Sequence, residues 1–134
     1  MARPTSGSRF PSGSHPLDLQ VSYRLGVPLI YVKGELDHQT APQLRAAVEE
    51  EWASSPPAVI LELTEVSYLD SGGLSVLFDT LAWLRGTGWL GVVGAIPPVA
   101  RLLEMTGLTE QPDFRVFPDL DGAVRALRSS PAAR

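Results

Sequence analysis

Apolar positions along the chain alternate between two spacings, one typical of strands and the other of helices. Residues 17–25 alternate apolar and polar, which predicts a strand with one solvated face, and residues 29–34 form a second strand after a turn at Gly26. The two strands should pair as an antiparallel hairpin. Residues 59–63 and 89–94 are short, nearly continuous apolar runs, the pattern of strands buried on both faces.

The first predicted helix follows the hairpin. It begins at Thr40, which should form a capping box with Gln43, and Pro42 lies in its first turn. Apolar residues at helical spacing extend this pattern to Trp52. Residues 49–51 are all glutamates, and we expect them to face outward.

Two further helices follow the buried strands. One starts after Asp70, and its apolar side is Leu74, Leu77, Phe78, Leu81 and Leu84. The other opens at Pro97, and its inward residues are Val99, Leu102, Leu103 and Thr106. Gly107 is expected to end that helix in a left-handed conformation, with Leu108 packing back onto it.

A short strand over residues 114–117 and a final helix complete the pattern. Asp119 should cap this helix, whose inward residues are Ala123, Val124 and Leu127. Strands that alternate with helices require right-handed crossovers and a mostly parallel sheet. We therefore predict an α/β fold with a mixed sheet of about five strands, an N-terminal antiparallel hairpin and about four helices.

The two ends of the chain differ in composition from its centre. Residues 1–16 are rich in Ser, Gly and Pro with Phe10 as their one large apolar side chain, so they predict a disordered tail. Residues 129–134 predict a second tail, which leaves residues 17–128 as one domain. No signal-like stretch follows Met1, and no apolar run approaches the roughly 18–20 residues of a membrane span, so we expect a cytoplasmic protein.

Composition excludes several classes of protein. The 134 residues are 44% hydrophobic and 19% charged, which is enough for a core, and the net charge of −4 argues against nucleic-acid binding. The absence of cysteine excludes a disulfide scaffold, a zinc finger, an iron–sulfur site and a thiol nucleophile. Lys33 is the one lysine, and no Walker A motif is present.

Two segments at the carboxyl ends of neighbouring predicted strands carry the polar residues of chemical interest. Residues 34–40 include Asp37 and His38, and residues 67–74 run into the second helix and include Ser71. Ligands bind at this edge of open α/β sheets. These two segments are therefore the candidate site.

The residues of this site give little support for a catalytic role. Asp37, His38 and Ser71 are the residue types of a hydrolase triad, but the nucleophile elbow Gly-x-Ser-x-Gly is absent. The second histidine, His15, lies in the predicted tail, so we expect no metal site, and the Rossmann glycine pattern is absent, so we expect no cofactor. The alternatives are a solvated His38 in a turn and an Asp37 that caps a helix start. We expect a protein that is not an enzyme.

Ser71 directly follows Asp70 at the start of the second helix. Its hydroxyl should lie near free backbone N–H groups, and either residue can act as the N-cap. Gly72 and Gly73 weaken the helix start by about 1 kcal/mol per residue relative to alanine. In return, we expect them to leave the serine accessible to an approaching partner.

Several motifs occur in one order that resembles the STAS family, and within it the bacterial anti-anti-sigma factors (anti-sigma factor antagonists). The matching segments are residues 32–38, 59–63, 66–74, 92–95 and 101–108. Together they extend the resemblance over about residues 17–127. It implies a STAS-like fold.

The resemblance also implies a phosphorylation switch. In that family the serine after the loop aspartate, here Ser71, is phosphorylated by an anti-sigma factor with a histidine-kinase-like ATP-binding fold, and the acidic residue that maps to Asp37 lies near it. The unphosphorylated form binds this kinase and releases the sigma factor. The family commonly has Ser or Thr at the next position, and Gly72 departs from that pattern because it cannot be a second acceptor.

The expected partners are that kinase and a serine phosphatase, without direct DNA binding or a membrane, and the expected state is a monomer or weak dimer. The alternative function is a STAS-type scaffold or small-ligand-binding module, as in stressosomes or transport complexes.

The outward face of the second helix is predicted to be part of the partner surface. At about 100° per residue, Val76, Asp79 and Trp83 point away from the leucines, which would leave Val76 and Trp83 exposed. Alternatively, Trp83 packs onto a neighbouring helix. The candidate partner-binding residues are Asp37, His38, Asp70, Gly72, Gly73, Val76, Asp79 and Trp83.

Overall fold

The computed structural model describes residues 15–129. The strands are β1 (Asp18–Arg24), β2 (Val27–Leu36), β3 (Ala58–Leu69), β4 (Trp89–Val93) and β5 (Phe114–Phe117). The helices are α1 (Ala41–Glu49), α2 (Ser71–Leu84), α3 (Pro97–Met105) and α4 (Leu120–Ser129). The two predicted tails lie largely outside the described residues, although Ser129 is the last residue of α4.

The strands form one sheet in the order β1-β2-β3-β4-β5. β1 pairs with β2 antiparallel, and the other pairs are parallel. This confirms the predicted mixed five-stranded sheet, the opening hairpin and the four helices. The parallel pairing brings the carboxyl ends of β2 and β3 together, because Leu36 lies opposite Leu69.

Helices cover both faces of the sheet. Side chains of α1, α2 and α3 pack on one face with Leu61 and Leu63 of β3, and α4 packs on the other with Ile60. The apolar run at 59–63 is therefore buried from both sides, as predicted. On the first face, α2 lies in the middle of the helical layer and contacts both the sheet and α1.

β3 is longer than predicted, because it continues past Leu63 to Leu69. Beyond Leu63 the buried residues are Val66 and Leu69, at every third position. The pairing with β2 shifts register twice in this region, which breaks the strict alternation of faces. The two-residue period therefore fails to identify residues 64–69 as strand.

β1 lacks the single wet face that its alternation predicted. All of its residues are exposed except Leu19, which is partly buried. β1 is one of the two edge strands of the sheet, and the helical layers leave it largely uncovered. The pattern therefore gave the correct strand but the wrong burial.

The start of α1 differs from the predicted capping box. The Thr40 side chain makes no capping bond, and its hydroxyl instead donates to the Glu35 carbonyl (2.7 Å). The side-chain oxygen of Gln43 accepts from the backbone N–H of Leu17 (2.9 Å). Gln43 thus fastens the start of the chain's first strand to α1.

The end of α1 also differs from the prediction. The helix stops at Glu49, and Trp52 begins a separate turn of 3₁₀ helix. Glu51, predicted to face outward, is buried. Its carboxylate accepts from the Tyr23 hydroxyl on β1 at 3.0 and 2.9 Å, which explains why a glutamate is tolerated there.

The C-terminal elements largely follow the predictions. Gly107 adopts φ +81° after α3, Leu108 is buried, and the Asp119 carboxylate accepts from the Gly122 N–H at the start of α4 (2.9 Å). Thr106, predicted to face inward, is exposed, and its hydroxyl donates to the Leu103 carbonyl (3.1 Å).

Candidate partner-binding site

The candidate site lies where the loop after β2 meets the start of α2. The backbone N–H of Asp70 donates to the carbonyl of Leu36 (3.2 Å), so the ends of the two strands are bonded directly. This contact places residues 37–40 beside the first turn of α2. The two predicted loops therefore form one continuous surface.

Asp70 is the N-cap of α2. Its Oδ1 accepts from the N–H of Gly72 at 2.8 Å and, more weakly, from that of Gly73 at 3.4 Å. Of the two possible caps, the structure thus assigns Asp70. Ser71 is the first residue of the helix, it is exposed, and its hydroxyl makes no hydrogen bond to any of residues 15–129.

Asp37 stabilises its own turn. Its Oδ1 accepts from the N–H groups of Gln39 and Thr40, both at 2.9 Å, and its carbonyl accepts from the N–H of Ala41 (2.7 Å). Asp37 therefore stabilises the turn before α1 and does not cap the helix itself, since the N-cap position belongs to Thr40. These bonds fix the path of the loop that runs next to α2.

His38 is a largely solvated residue of this loop, with 78% of its side chain exposed. Its Nδ1 lies 3.8 Å from Oδ2 of Asp70, so the two form an ion pair when the imidazole is protonated. The solvated alternative for His38 is thus the better description. At this exposure the pair contributes little to stability.

The two glycines of α2 are required by close packing. A Cβ on Gly72 would lie 2.4 Å from the Cα of His38, and one on Gly73 would lie 2.5 Å from a side-chain carbon of Leu69. No side chain fits at either position unless its neighbours move. Gly72 therefore serves to bring the loop against the helix, in addition to keeping Ser71 uncrowded.

The predicted docking face on α2 is wrong at Val76, whose side chain is fully buried. The buried arc of α2 extends beyond the leucines because the helix contacts both α1 and the sheet. Phe78, assigned from the sequence to the apolar side, is exposed instead.

The two remaining residues of that face have partners within the chain. Trp83 is half-buried and stacks on Trp52, with ring centroids 5.1 Å apart. This matches the alternative that Trp83 packs onto a neighbouring helix, which here is the 3₁₀ turn after α1. Asp79 is exposed and accepts from Arg45 of α1 at 2.7 Å.

Two exposed apolar residues, Tyr68 and Met105, line a groove that includes Leu69, two residues before Ser71. Tyr68 is 50% exposed and Met105 is 74% exposed, and they line a groove of about 240 Å³ between the end of β3 and α3. The groove is lined by Ser67, Tyr68, Leu69, Pro98, Val99, Arg101, Leu102 and Met105. Sequence reasoning did not single out Tyr68 or Met105, since their exposure depends on how α3 packs.

Residues 15–129 contain no group of three or more His, Cys, Asp or Glu side chains placed to hold a metal ion. None of the helices in this part of the chain is long and apolar enough to cross a membrane.

Known proteins are similar to this chain in sequence and in fold. Residues 18–123 match the STAS domain family. An anti-sigma F factor antagonist of Paenibacillus polymyxa is 31% identical over 113 residues, which are 83% of this chain and 92% of that protein. A solved anti-sigma factor antagonist from Mycobacterium paratuberculosis is 38% identical with a TM-score of 0.76, over 87% of this chain and 99% of that one.

The fold is also that of the Bacillus cell fate determinant SpoIIAA in its phosphorylated form, at 20% identity and a TM-score of 0.66, over 83% of this chain and 100% of that chain. The family match includes both segments of the candidate site. The chain therefore belongs to the STAS domain family, and the proteins it is similar to include bacterial anti-sigma factor antagonists.

Proposed function

We propose that this protein is an anti-sigma factor antagonist whose activity is switched by phosphorylation of Ser71. The observation that carries the proposal is the state of this hydroxyl: Ser71 is exposed at the first position of α2, and Asp70 takes over the capping role. The hydroxyl is thus accessible to a kinase, and its modification breaks no hydrogen bond within residues 15–129.

The partner is an anti-sigma factor with a histidine-kinase-like ATP-binding fold. In the unphosphorylated state it contacts Ser71 together with His38 and the exposed apolar residues Tyr68 and Met105. Such a surface combines apolar contact area with polar groups around its centre, as protein interfaces generally do. Binding displaces the sigma factor from the kinase.

Phosphorylation reverses this binding by electrostatics. A phosphate adds about −1.5 to −2 charges at neutral pH. Asp70 is adjacent in the chain, and it already occupies the N–H groups of Gly72 and Gly73 that would otherwise receive an anion. The new charge therefore remains on the surface and is pressed against the partner.

A serine phosphatase completes the cycle by restoring the free hydroxyl. We expect the whole cycle to take place in the bacterial cytoplasm, where sigma factors act. It requires neither a metal ion nor a cofactor bound to this chain.

Phosphate mapping tests the proposal. The full chain is incubated with candidate anti-sigma factor kinases of the source bacterium and ATP, and the product is mapped by mass spectrometry. Ser71→Ala should abolish incorporation and bind the kinase constitutively. Ser75→Ala is a matched control, because Ser75 is also exposed and lies one helical turn further along α2. Phosphate at Ser67 or Thr64 would contradict the assignment.

A second function, small-ligand binding, has one observation in its favour. A cavity of about 550 Å³ lies between α3 and β5, which is within the usual size range of ligand sites. Its lining is largely apolar, with Glu104 and Thr109 as polar groups. An Ala100→Phe substitution would place a large side chain in the cavity, so a ligand that stabilises the natural chain but not this variant in thermal melts would support the second function.

A further inference from the structure

The outer edge of β1 is open in the described part of the chain. β1 lies at one end of the strand order and pairs with β2 alone. Every second residue of Asp18–Arg24 therefore directs its backbone N–H and C=O away from the sheet. Such a row of free donors and acceptors can pair with another strand.

β1 lacks the features that usually protect an edge. It is seven residues long, and the five residues between Asp18 and Arg24 are uncharged. Within this stretch Val21 is 41% exposed and Tyr23 is 58% exposed. The opposite edge strand, β5, has only four residues and carries Arg115 at its second position. It is therefore less suited than β1 to pairing with a strand of another chain.

The sequence of β1 is complementary to itself when reversed. In an antiparallel pair centred on Val21, Asp18 of one copy lies opposite Arg24 of the other. Leu19 then lies opposite Tyr23, Gln20 opposite Ser22, and Val21 opposite Val21. Opposite charges and apolar residues placed directly across a strand pair are both stabilising.

The apolar members of this arrangement share one face. Leu19, Val21 and Tyr23 alternate along β1, and Tyr23 is held toward the α1 side of the sheet by its bonds to Glu51. Across the pair they would form one continuous apolar stripe. The Tyr23 side chain is already ordered by Glu51, which lowers the entropy cost of association.

We propose that a second copy of this chain binds along β1, in antiparallel register about Val21, and joins the two five-stranded sheets into one. This inference does not depend on the proposed function. Asp18 lies beside Lys33 in the carboxyl-terminal half of β2, and Arg24 lies beside Val27 at its start. The two-fold axis therefore places the two Ser71 sites at opposite ends of the dimer, where both remain open to partners.

Charge exchange at positions 18 and 24 tests the register. Sedimentation velocity on the full chain, over a range of concentrations, should show a monomer–dimer equilibrium. Either Asp18→Arg or Arg24→Asp places like charges opposite each other twice per dimer, and should raise the dissociation constant by about tenfold or more. The double variant should restore dimerisation, and an equimolar mixture of the two single variants should form a heterodimer.

Arg125→Asp on the exposed side of α4 is the matched control, and it should leave the dissociation constant unchanged. Val21→Lys should abolish the dimer without unfolding the monomer, because Val21 is exposed at the sheet edge. A chain that stays monomeric at all concentrations, or a double variant that fails to recover, would overturn the proposal. It would also be overturned if hydrogen exchange showed β1 amides protected at every concentration and deprotected when residues 1–14 are removed, since those residues would then be the occupant.

Discussion

Gly72 packs so closely against His38 that a Cβ at position 72 would lie 2.4 Å from the Cα of His38 and 2.7 Å from its backbone nitrogen. Both contacts are with backbone or near-backbone atoms, which cannot rotate away as a side-chain end can. The close contact between the first turn of α2 and the loop after β2 therefore requires a residue without a Cβ atom at position 72.

Gly72→Ala should consequently destabilise the protein and displace the loop. Overpacking of this kind costs about 1–3 kcal/mol, more than the gain of up to about 1 kcal/mol in helix propensity. Gly122→Ala is a matched control, because Gly122 also follows a capping aspartate, and a Cβ there meets its nearest atom at an ordinary 3.5 Å. Denaturant unfolding of both variants, with the amide shifts of residues 37–40, measures the effect; equal stability of the two would contradict it.

Ser71→Asp should separate folding stability from partner affinity. A carboxylate at a helix N-terminus gains a few tenths to about 1 kcal/mol, and repulsion from Asp70 offsets part of this in an exposed loop, so stability should change by less than about 1 kcal/mol. A charge left unpaired in the interface costs about 2–5 kcal/mol, or about 30-fold to several thousand-fold in affinity. Melting curves measure the folding stability of the variant, and binding isotherms with the kinase measure its affinity. A large loss of stability with unchanged binding would mean that Ser71 is structural.

Aspartate at Val76 and at Met105 should have opposite effects. Val76 is fully buried, so Val76→Asp should destabilise the fold by at least about 3 kcal/mol through an unpaired buried charge. Met105 is 74% exposed, so Met105→Asp should change stability by less than about 0.5 kcal/mol while weakening kinase binding. Chemical unfolding and a pull-down on the same two proteins distinguish the roles. A stable Val76→Asp variant would contradict the packing of α2.

Sequence periodicity predicted most of the fold because its signals are local. The buried run at 59–63 and the glycine at 107 each follow from steric or solvation effects within a few residues. The site was predicted as two loops brought together by parallel strands, and this needed no knowledge of distances. Its central residues, Asp70 and Ser71, follow from the chemistry of helix starts.

The errors arose where burial depends on elements distant in the chain. Val76 is buried because α1 packs beside α2, and nothing near Val76 in the sequence signals this. Glu51 is buried because Tyr23, 28 residues earlier, supplies a donor. Periodicity on one helix or strand does not contain such information.

The Tyr23–Glu51 contact should appear in the pH dependence of stability. The hydrogen bond to Glu51, then burial, then the negative charges of Glu51 and Glu50 raise the pKa of Tyr23 above its usual value of 10.0. A raised pKa means that the contact stabilises the fold fully below about pH 10, and that this contribution is lost as the pH rises through the pKa of the folded state.

The natural chain should therefore exceed Tyr23→Phe in stability at neutral pH, with the difference shrinking above pH 10. Tyrosinate absorbance provides a second readout, because the substitution should remove a titration step whose pKa is raised above 10.0. Tyr31→Phe serves as a control, since Tyr31 is also an exposed tyrosine and lies on the neighbouring strand. A stability difference that is constant up to strongly alkaline pH would contradict the role of this contact.

The stacked pair of Trp52 and Trp83 also gives the protein an internal optical probe. Two indole rings at 5.1 Å couple their electronic transitions, and this should produce a paired positive and negative band in the far-ultraviolet circular dichroism spectrum. Trp83 lies twelve residues along α2 from Ser71, or about 18 Å at the helical rise. The band should thus report whether the 3₁₀ turn after α1 stays packed on α2, and it should not respond to events at the serine. Binding and unfolding can then be followed separately in a single unlabelled sample.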